Sequence, residues 1–320
     1  PPRYLLVTQD QSAVILYEFA GCMHLADDLE LVTEVRPAIT ASFVAAGDDI
    51  KRRELDWASE VASTLIELVG KGATVGIERI NVGAVRSLSE YGFLLVDAQQ
   101  PIERARAIKS SEEVSCVRAS LHATEIAVAR LRHNLRPGLT ENALWSILHQ
   151  AVIAQNGDYV ETRLLSSGQR TNPWFQESGT RVIGENELVA LDTDVVGCYG
   201  YYADFSRTFH SGPDEPSTKQ RRLYAAAYEQ IHHNMRLLNH GVAFREYAER
   251  AWKIPEEYFA NRYYVSAHGV GMTGEYPYLY HGADFVTAGY DGHIEVGMTL
   301  CVESYIGEVG GCEEIGRAHV

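Results

Sequence analysis

The stretch LVALDTDVVG at residues 188–197 is an apolar strand that carries two carboxylates, Asp192 and Asp194, two residues apart. Because side chains alternate between the two faces of a strand, both carboxylates point to the same face. A glycine turn follows, and YYADFSRTF at residues 201–209 predicts a return strand that brings Asp204 beside them. Three like charges on one sheet face are unfavourable unless a cation or protons share them. The apolar flanks therefore favour a metal site over a solvent-facing strand.

Two later segments each add one polar side chain within apolar sequence. VSAHGVGM (265–272) places His268 before a glycine turn, and MTLCVES (298–304) contains Glu303 in an apolar run. A buried glutamate is costly unless it is paired or bound to a metal. The candidate metal ligands are therefore Asp192, Asp194, Asp204, His268 and Glu303. This oxygen-rich set with a single imidazole suits one or two divalent ions of iron, manganese, cobalt or zinc.

Composition narrows the classes of function. The chain has 320 residues, 46% of them hydrophobic, which predicts two domains with substantial cores. Its 43 acidic and 28 basic residues give a formal charge of −15, which repels phosphate backbones and argues against nucleic-acid binding. Five scattered cysteines without CxxC spacing indicate reduced thiols in a cytoplasmic protein. The sequence contains no run of 18 apolar residues, so we predict no membrane span and no membrane partner.

Local patterns predict where the main elements begin and end. Helical periodicity over residues 48–69 and a buried strand over 74–77 belong to an alternating β and α region, typical of an α/β layer domain. The signal SSEE at residues 110–113 caps a long helix that continues to about residue 135. Thr140 caps the next helix, predicted over 141–155. The character of the chain changes near residue 107, where we place the domain boundary.

The order of these segments resembles the pita-bread metalloenzymes, namely creatinase, prolidase, aminopeptidase P and methionine aminopeptidase. The matching motifs are GYYADFSRTF (200–209), HGVG (268–271) and VES (302–304). The resemblance implies an α/β creatinase-like domain over residues 1–107 and an α+β pita-bread catalytic domain over residues 108–313, with a curved, mainly antiparallel sheet. It also implies that the five candidate ligands bind one or two metal ions and that two subunits form a homodimer.

Within this superfamily, the motifs are most similar to the dimethylsulfoniopropionate (DMSP) lyase branch of the DddP type. The doublet DTD at 192–194 and the segment SGQRTNPWFQ at 167–176 carry that similarity. Peptidases of the superfamily present a histidine near Trp174, and a His-Glu-x-Pro motif where this chain has GEYP at 274–277. Both histidines are missing from this sequence. Because protonation of a departing amine needs such a group, the sequence disfavours ordinary peptidase activity without excluding it.

The lyase branch implies roles for several further residues. In the lyases of that branch, the position of Gly274 is occupied by an aspartate that abstracts the substrate's α-proton. Glycine cannot accept a proton. Glu275 or His281 could substitute as the base, and Tyr263 matches a tyrosine of the lyase pocket. Trp174 and Tyr202 are candidate substrate-binding residues. With Phe175, Tyr201 and Tyr263 they would line a pocket that holds a small cation through cation–π contacts; the equal alternative is that these rings are core aromatics.

The resemblance, together with the departures from it, leaves three candidate functions. The first is a metal-dependent enzyme that cleaves a small molecule, DMSP, to dimethyl sulfide and acrylate. The second is an Xaa-Pro dipeptidase or aminopeptidase-like metallohydrolase. The third is a non-catalytic binding module that keeps the fold.

The end of the chain departs from the family pattern. The resemblance implies a second, metal-bridging glutamate on a closing strand after the turn at residues 310–311, but the chain reads CEEIGRAHV over 312–320. IGRAHV (315–320) is also what a common sequencing adapter encodes in one reading frame. We therefore expect residues 314–320 to be adapter read-through, no closing strand, and a chain truncated at both ends. The alternative is a genuine tail in which Glu313 or Glu314 supplies the bridging ligand.

Overall fold

The computed structural model describes residues 3–309, 311 and 314–319, with side chains as far as residue 311. The chain forms two compact units, Pro1–Ile102 and Glu103–Val320. The division at residue 102 lies inside a helix that ends at Ala107. None of the described helices is both long and apolar enough to cross a membrane.

The first unit combines two small sheets with helices. A three-stranded sheet has the order β1-β2-β3, with β1 antiparallel and β3 parallel to β2, and β4 pairs with β5 in parallel. Its core is formed where α2 packs on α3, through Trp57, Leu65 and Leu88. The elements are β1 Tyr4–Val7, β2 Val14–Glu18, β3 Glu34–Pro37, α1 Phe43–Ala46, α2 Ile50–Val69, β4 Thr74–Ile77, α3 Val82–Ser89, β5 Leu94–Asp97 and α4 Gln99–Ala107.

The second unit begins with two capped helices. A capping box between Ser110 and Glu113 starts α5, and the Thr140 hydroxyl accepts the Ala143 backbone N–H at the start of α6, as the sequence predicts. The elements are α5 Ser111–Asn134, α6 Glu141–Ala154, β6 Tyr159–Val160, β7 Leu164–Ser167, β8 Leu188–Val196, β9 Tyr202–His210, α7 Thr218–Met235, α8 Phe244–Arg250, α9 Glu256–Phe259, β10 Val265–Val270, β11 Gly274–Tyr280, α10 Gly282–Ala288, β12 Leu300–Gly307 and β13 Glu314–His319.

The strands of the second unit pair antiparallel in two sheets. In one sheet, β8 is central and pairs with β6, β7 and β9; the other has the order β11-β10-β12-β13. The observed fold therefore confirms the predicted class, an α/β unit followed by an α+β unit with mainly antiparallel strands.

The two faces of β8 have opposite character. Val189, Leu191 and Val195 are fully buried in the core against Leu144 and Leu148 of α6. Burial of each such side chain contributes about 1.5–3 kcal/mol, which fixes the register of the strand. The carboxylates at the alternate positions are consequently directed to the other face of the sheet.

The backbone differs from expectation after residue 311. Glu314–His319 forms a strand that runs antiparallel to β12, with Ala318 directly across from Glu303. No closing strand is predicted here, because the segment departs from the strand pattern that the family resemblance implies. Pairing of the backbone along β12 does not require that pattern, since the strand's N–H and C=O groups need partners whatever the side chains are.

Candidate metal centre and substrate cavity

Strand register brings four of the predicted ligands together. On the shared face of β8 and β9, Asp194 lies directly opposite Asp204. From the second sheet, His268 Nε2 lies 3.1 Å from Asp204 Oδ2 and 3.6 Å from Glu303 Oε1. His268 is held in this orientation by a 2.9 Å hydrogen bond between Nδ1 and the Gly269 carbonyl oxygen. One imidazole thus lies between carboxylates from two strands.

The fifth predicted ligand, Asp192, is held by surrounding side chains. Its Oδ1 accepts a 2.9 Å hydrogen bond from the Ser206 hydroxyl. Its Oδ2 accepts bonds from the Tyr305 hydroxyl at 3.1 Å and from Trp174 Nε1 at 3.4 Å. These three donors partly compensate a carboxylate that is only 8% exposed.

The electrostatics of the cluster show an excess of negative charge. Burial, together with Asp204, raises the pKa of Asp192 to about 6 and that of Glu303 to about 7. The same two causes raise the pKa of Asp194 well above its usual range. Burial lowers the pKa of His268, but its bonds to Asp204 and Glu303 outweigh that effect and raise it. Protons therefore stabilise this cluster when no other cation does so.

The donor set fits a divalent transition metal. Ligand atoms of Asp204, His268, Cys301 and Glu303 all lie within 4.8 Å of one another and belong to buried residues. Donors about 2.0–2.3 Å from a common ion are separated by distances of this size. Carboxylate, imidazole and thiol groups are all donors that bind divalent transition metals.

A small cavity opens on the cluster. Its volume is about 160 Å³, and its walls are mostly aromatic rings and carboxylates. The lining residues are Glu161, Phe175, Asp192, Asp194, Tyr202, Asp204, Tyr263, His268, Gly274, Tyr278, Glu303 and Tyr305. Among the described residues, His268 is the one histidine in this wall. The cavity can therefore hold a compact ligand with a positively charged group.

Of the predicted pocket residues Tyr202, Tyr263 and Trp174, two line the cavity and Trp174 lies behind its wall. Tyr202 and Tyr263 both line the cavity. The Tyr263 ring centroid lies 4.8 Å from that of Tyr305 and 5.9 Å from that of Phe175, so the three form one aromatic wall. Trp174 supports this wall: its ring packs on Tyr305 at 4.5 Å, and its indole N–H donates to Asp192.

Glu275 is not placed to act as a base, which corrects the prediction from sequence. Its carboxylate accepts hydrogen bonds from Arg106 at 2.7 Å, from Lys109 at 2.8 Å and from the Met272 backbone N–H at 2.8 Å. The side chain is 1% exposed. Along β11, Gly274 and Tyr278 face the cavity, so Glu275 points to the opposite face. Its carboxylate instead pairs with the buried Lys109 ammonium and the partly exposed Arg106 guanidinium.

The alternative base, His281, also lies outside the cavity wall. Its Nε2 is 3.0 Å from the Tyr263 carbonyl oxygen, and burial lowers its pKa to about 4. Gly274 itself faces the cavity, and a Cβ added there would have only His268 Nδ1 nearby, at 4.0 Å. The structure thus has room for a larger side chain at this position.

Four residues of the site are absent from the sequence prediction. Cys301 and Tyr305 lie two residues on either side of Glu303, so the period of the strand places all three on one face. That signal was present in the sequence. Glu161 and Tyr278 reach the cavity through long-range packing, for which the local sequence contains no signal.

Comparisons with known proteins agree with this geometry. The chain is 34% identical over 316 residues to "Dimethylsulfoniopropionate lyase DddP" of Roseovarius nubinhibens, an alignment that spans 97% of the chain and 71% of that protein. It is 28% identical over 203 residues to "Probable dipeptidase PepE" of Mycobacterium bovis, over 61% of the chain and 52% of the relative.

Solved structures share the fold at low sequence identity. The prolidase from Pyrococcus furiosus matches with a TM-score of 0.78 and 18% identity, over 99% of this chain and 85% of that one. The X-Pro aminopeptidase from Thermotoga maritima matches with a TM-score of 0.77 and 17% identity, over 99% and 82%. The model of metallopeptidase family M24 matches residues 115–317, most of the second unit and the strands that carry the acidic cluster. With this match and the extended similarity to DddP, the chain belongs to metallopeptidase family M24.

Proposed function

We propose that this protein is a metal-dependent lyase that cleaves a small carboxylate with a cationic head group, of which DMSP is the test case. The observation that carries the proposal is the cavity of about 160 Å³, in which five aromatic rings face an acidic cluster. Aromatic faces and carboxylates both attract a sulfonium or ammonium group. The similarity to DddP lyases along 97% of the chain supports the same reaction class.

Asp192, Asp194, Asp204, His268 and Glu303 would hold one or two divalent ions in this proposal. A bound ion supplies Lewis-acid polarisation of the substrate's carboxylate, which acidifies the adjacent C–H bond. The aromatic wall of Phe175, Tyr263 and Tyr305 orients the cationic head and excludes water from it. The cavity volume of about 160 Å³ is too small to enclose a long peptide.

We assign the role of proton acceptor, which Gly274 cannot fill, to Glu161. Glu161 is exposed, and of the five carboxylates that line the cavity it is the one outside the proposed ligand set. Its carboxylate takes the proton from the carbon next to the substrate's carboxylate. The electron pair of that C–H bond forms the C=C bond of acrylate, and the C–S bond breaks to release neutral dimethyl sulfide.

Amide hydrolysis is the second candidate, because the chain belongs to a metallopeptidase family. His268 is committed to Asp204 and Glu303, and it is the one described histidine in the cavity wall. Among the described residues, no second imidazole lines the cavity to protonate a departing amine, which favours the lyase.

Incubation of the metal-loaded protein with DMSP and, separately, with Xaa-Pro dipeptides tests the proposal. We expect dimethyl sulfide from the first and no free amino acid from the second, with activity lost after chelation. Release of amino acids alone would establish the hydrolase. If neither product forms in protein with a verified metal content, the proposed lyase is wrong and the binding module is favoured.

A further inference from the structure

Cys301 lies inside the cluster of proposed metal ligands. It is fully buried, and its Sγ is 3.0 Å from Glu303 Oε1. Its Sγ is also 3.9 Å from the backbone oxygen of Asp204. In the ladder between β10 and β12, Cys301 is the direct partner of His268. Directly opposed residues of an antiparallel pair project their side chains to the same face, so sulfur and imidazole point into one space.

We propose that Cys301 is a metal ligand of this centre, together with Asp204, His268 and Glu303. The four donor atoms lie within 4.8 Å of one another, which a single ion can bridge. The inference rests on the metal centre of the proposed function, but it is independent of the reaction catalysed there.

The position of Cys301 on β12 strengthens the assignment. Cys301 lies two residues before Glu303, so the period of the strand directs both side chains to one face. The thiol binds as the thiolate and releases its proton to solvent.

A sulfur ligand changes which metals the site prefers. Thiolates select zinc and cobalt, whereas sites made of carboxylate and water suit manganese and magnesium. We expect Cys301→Ser to weaken Zn²⁺ and Co²⁺ binding by about tenfold or more, with a much smaller effect on Mn²⁺. Loss of selectivity, rather than loss of binding in general, is the signature of a sulfur ligand.

The experiment is a titration of the metal-free protein with Co²⁺, followed by absorption spectroscopy and by measurement of bound cobalt. Wild-type protein should show a sulfur-to-cobalt charge-transfer band in the near ultraviolet. Cys301→Ser should lose the band but still bind cobalt, and Cys198→Ser, which changes a partly exposed cysteine outside the cluster, should keep it. Thermal unfolding of the metal-free variants checks that each one folds.

Two outcomes overturn the inference and are distinguishable. If cobalt binds to wild-type protein without the band, or if the band persists in Cys301→Ser, the metal centre stands but sulfur is not a ligand. If the wild-type protein binds no cobalt at all, both the inference and the metal centre of the proposed function are wrong.

Discussion

Replacement of Gly274 by aspartate should create or raise lyase activity. The residue is exposed and faces the cavity, and an added Cβ has only His268 Nδ1 nearby, at 4.0 Å. The backbone is not in the left-handed region, so the free energy of unfolding should change by no more than about 1 kcal/mol. A positioned general base contributes about 10²–10⁴ in rate. Because Glu161 already serves as the base in the proposed reaction, we expect kcat/KM for DMSP to rise by up to about tenfold in the wild-type background, equivalent to about 1.4 kcal/mol.

The assay is headspace gas chromatography of dimethyl sulfide over a range of DMSP concentrations, with equal metal content in each sample. Gly274→Asn is the matched control, because it has nearly the same shape but no carboxylate, and it should give no increase. If folded, metal-loaded Gly274→Asp is no faster than wild type, this interpretation of position 274 is refuted. An equal increase with asparagine would show that size, and not proton transfer, is responsible.

Three further predictions concern the base and the cluster. Glu161→Gln should lower kcat for DMSP by about 10²-fold, and addition of Gly274→Asp to this variant should restore it. Glu177→Gln, which changes a carboxylate outside the cavity wall, should have no effect. If Glu161→Gln retains the full rate, Glu161 is not the base. Because the folded-state pKa values of Asp192 and Glu303 are raised to about 6 and 7, the metal-free protein binds extra protons when folded. Its free energy of unfolding should therefore fall as pH rises from about 4 to 7, and metal affinity should rise over the same range; denaturant titrations that show stability rising instead would contradict this. Ala318→Glu, at the position paired with Glu303, should raise metal affinity by about tenfold in calorimetric titrations, whereas Arg317→Glu, at the position paired with Ser304, should not.

Local rules were sufficient to predict most of the elements from sequence. The capping box at Ser110 and the cap at Thr140 mark the starts of α5 and α6. The strand predicted over 74–77 is β4, but its residues are exposed or half-buried and not buried as expected. The sequence does not predict the strand Glu34–Pro37, because EVRP is short and polar and owes its conformation to parallel pairing with β2. Such a strand needs hydrogen bonds to the backbone of another segment, and periodicity cannot reveal that pairing.

The surroundings of Glu275 show where sequence reasoning about the site fails. Strand period already places Glu275 and Gly274 on opposite faces of β11, but the sequence does not reveal the cations with which the Glu275 carboxylate pairs. The partners Arg106 and Lys109 are 169 and 166 residues away along the chain. By contrast, the same-face arrangement of Asp192 and Asp194 depends only on strand period, and the structure shows it.

We infer that the acidic cluster with His268 is a metal centre. Anomalous diffraction from crystals of the cobalt- or zinc-loaded protein, recorded on both sides of the metal's absorption edge, would locate the ion. We expect an anomalous peak about 2.0–2.3 Å from donor atoms of Asp204, His268 and Glu303. Metal in the crystal with no peak at these residues, or with peaks only elsewhere on the chain, would contradict it.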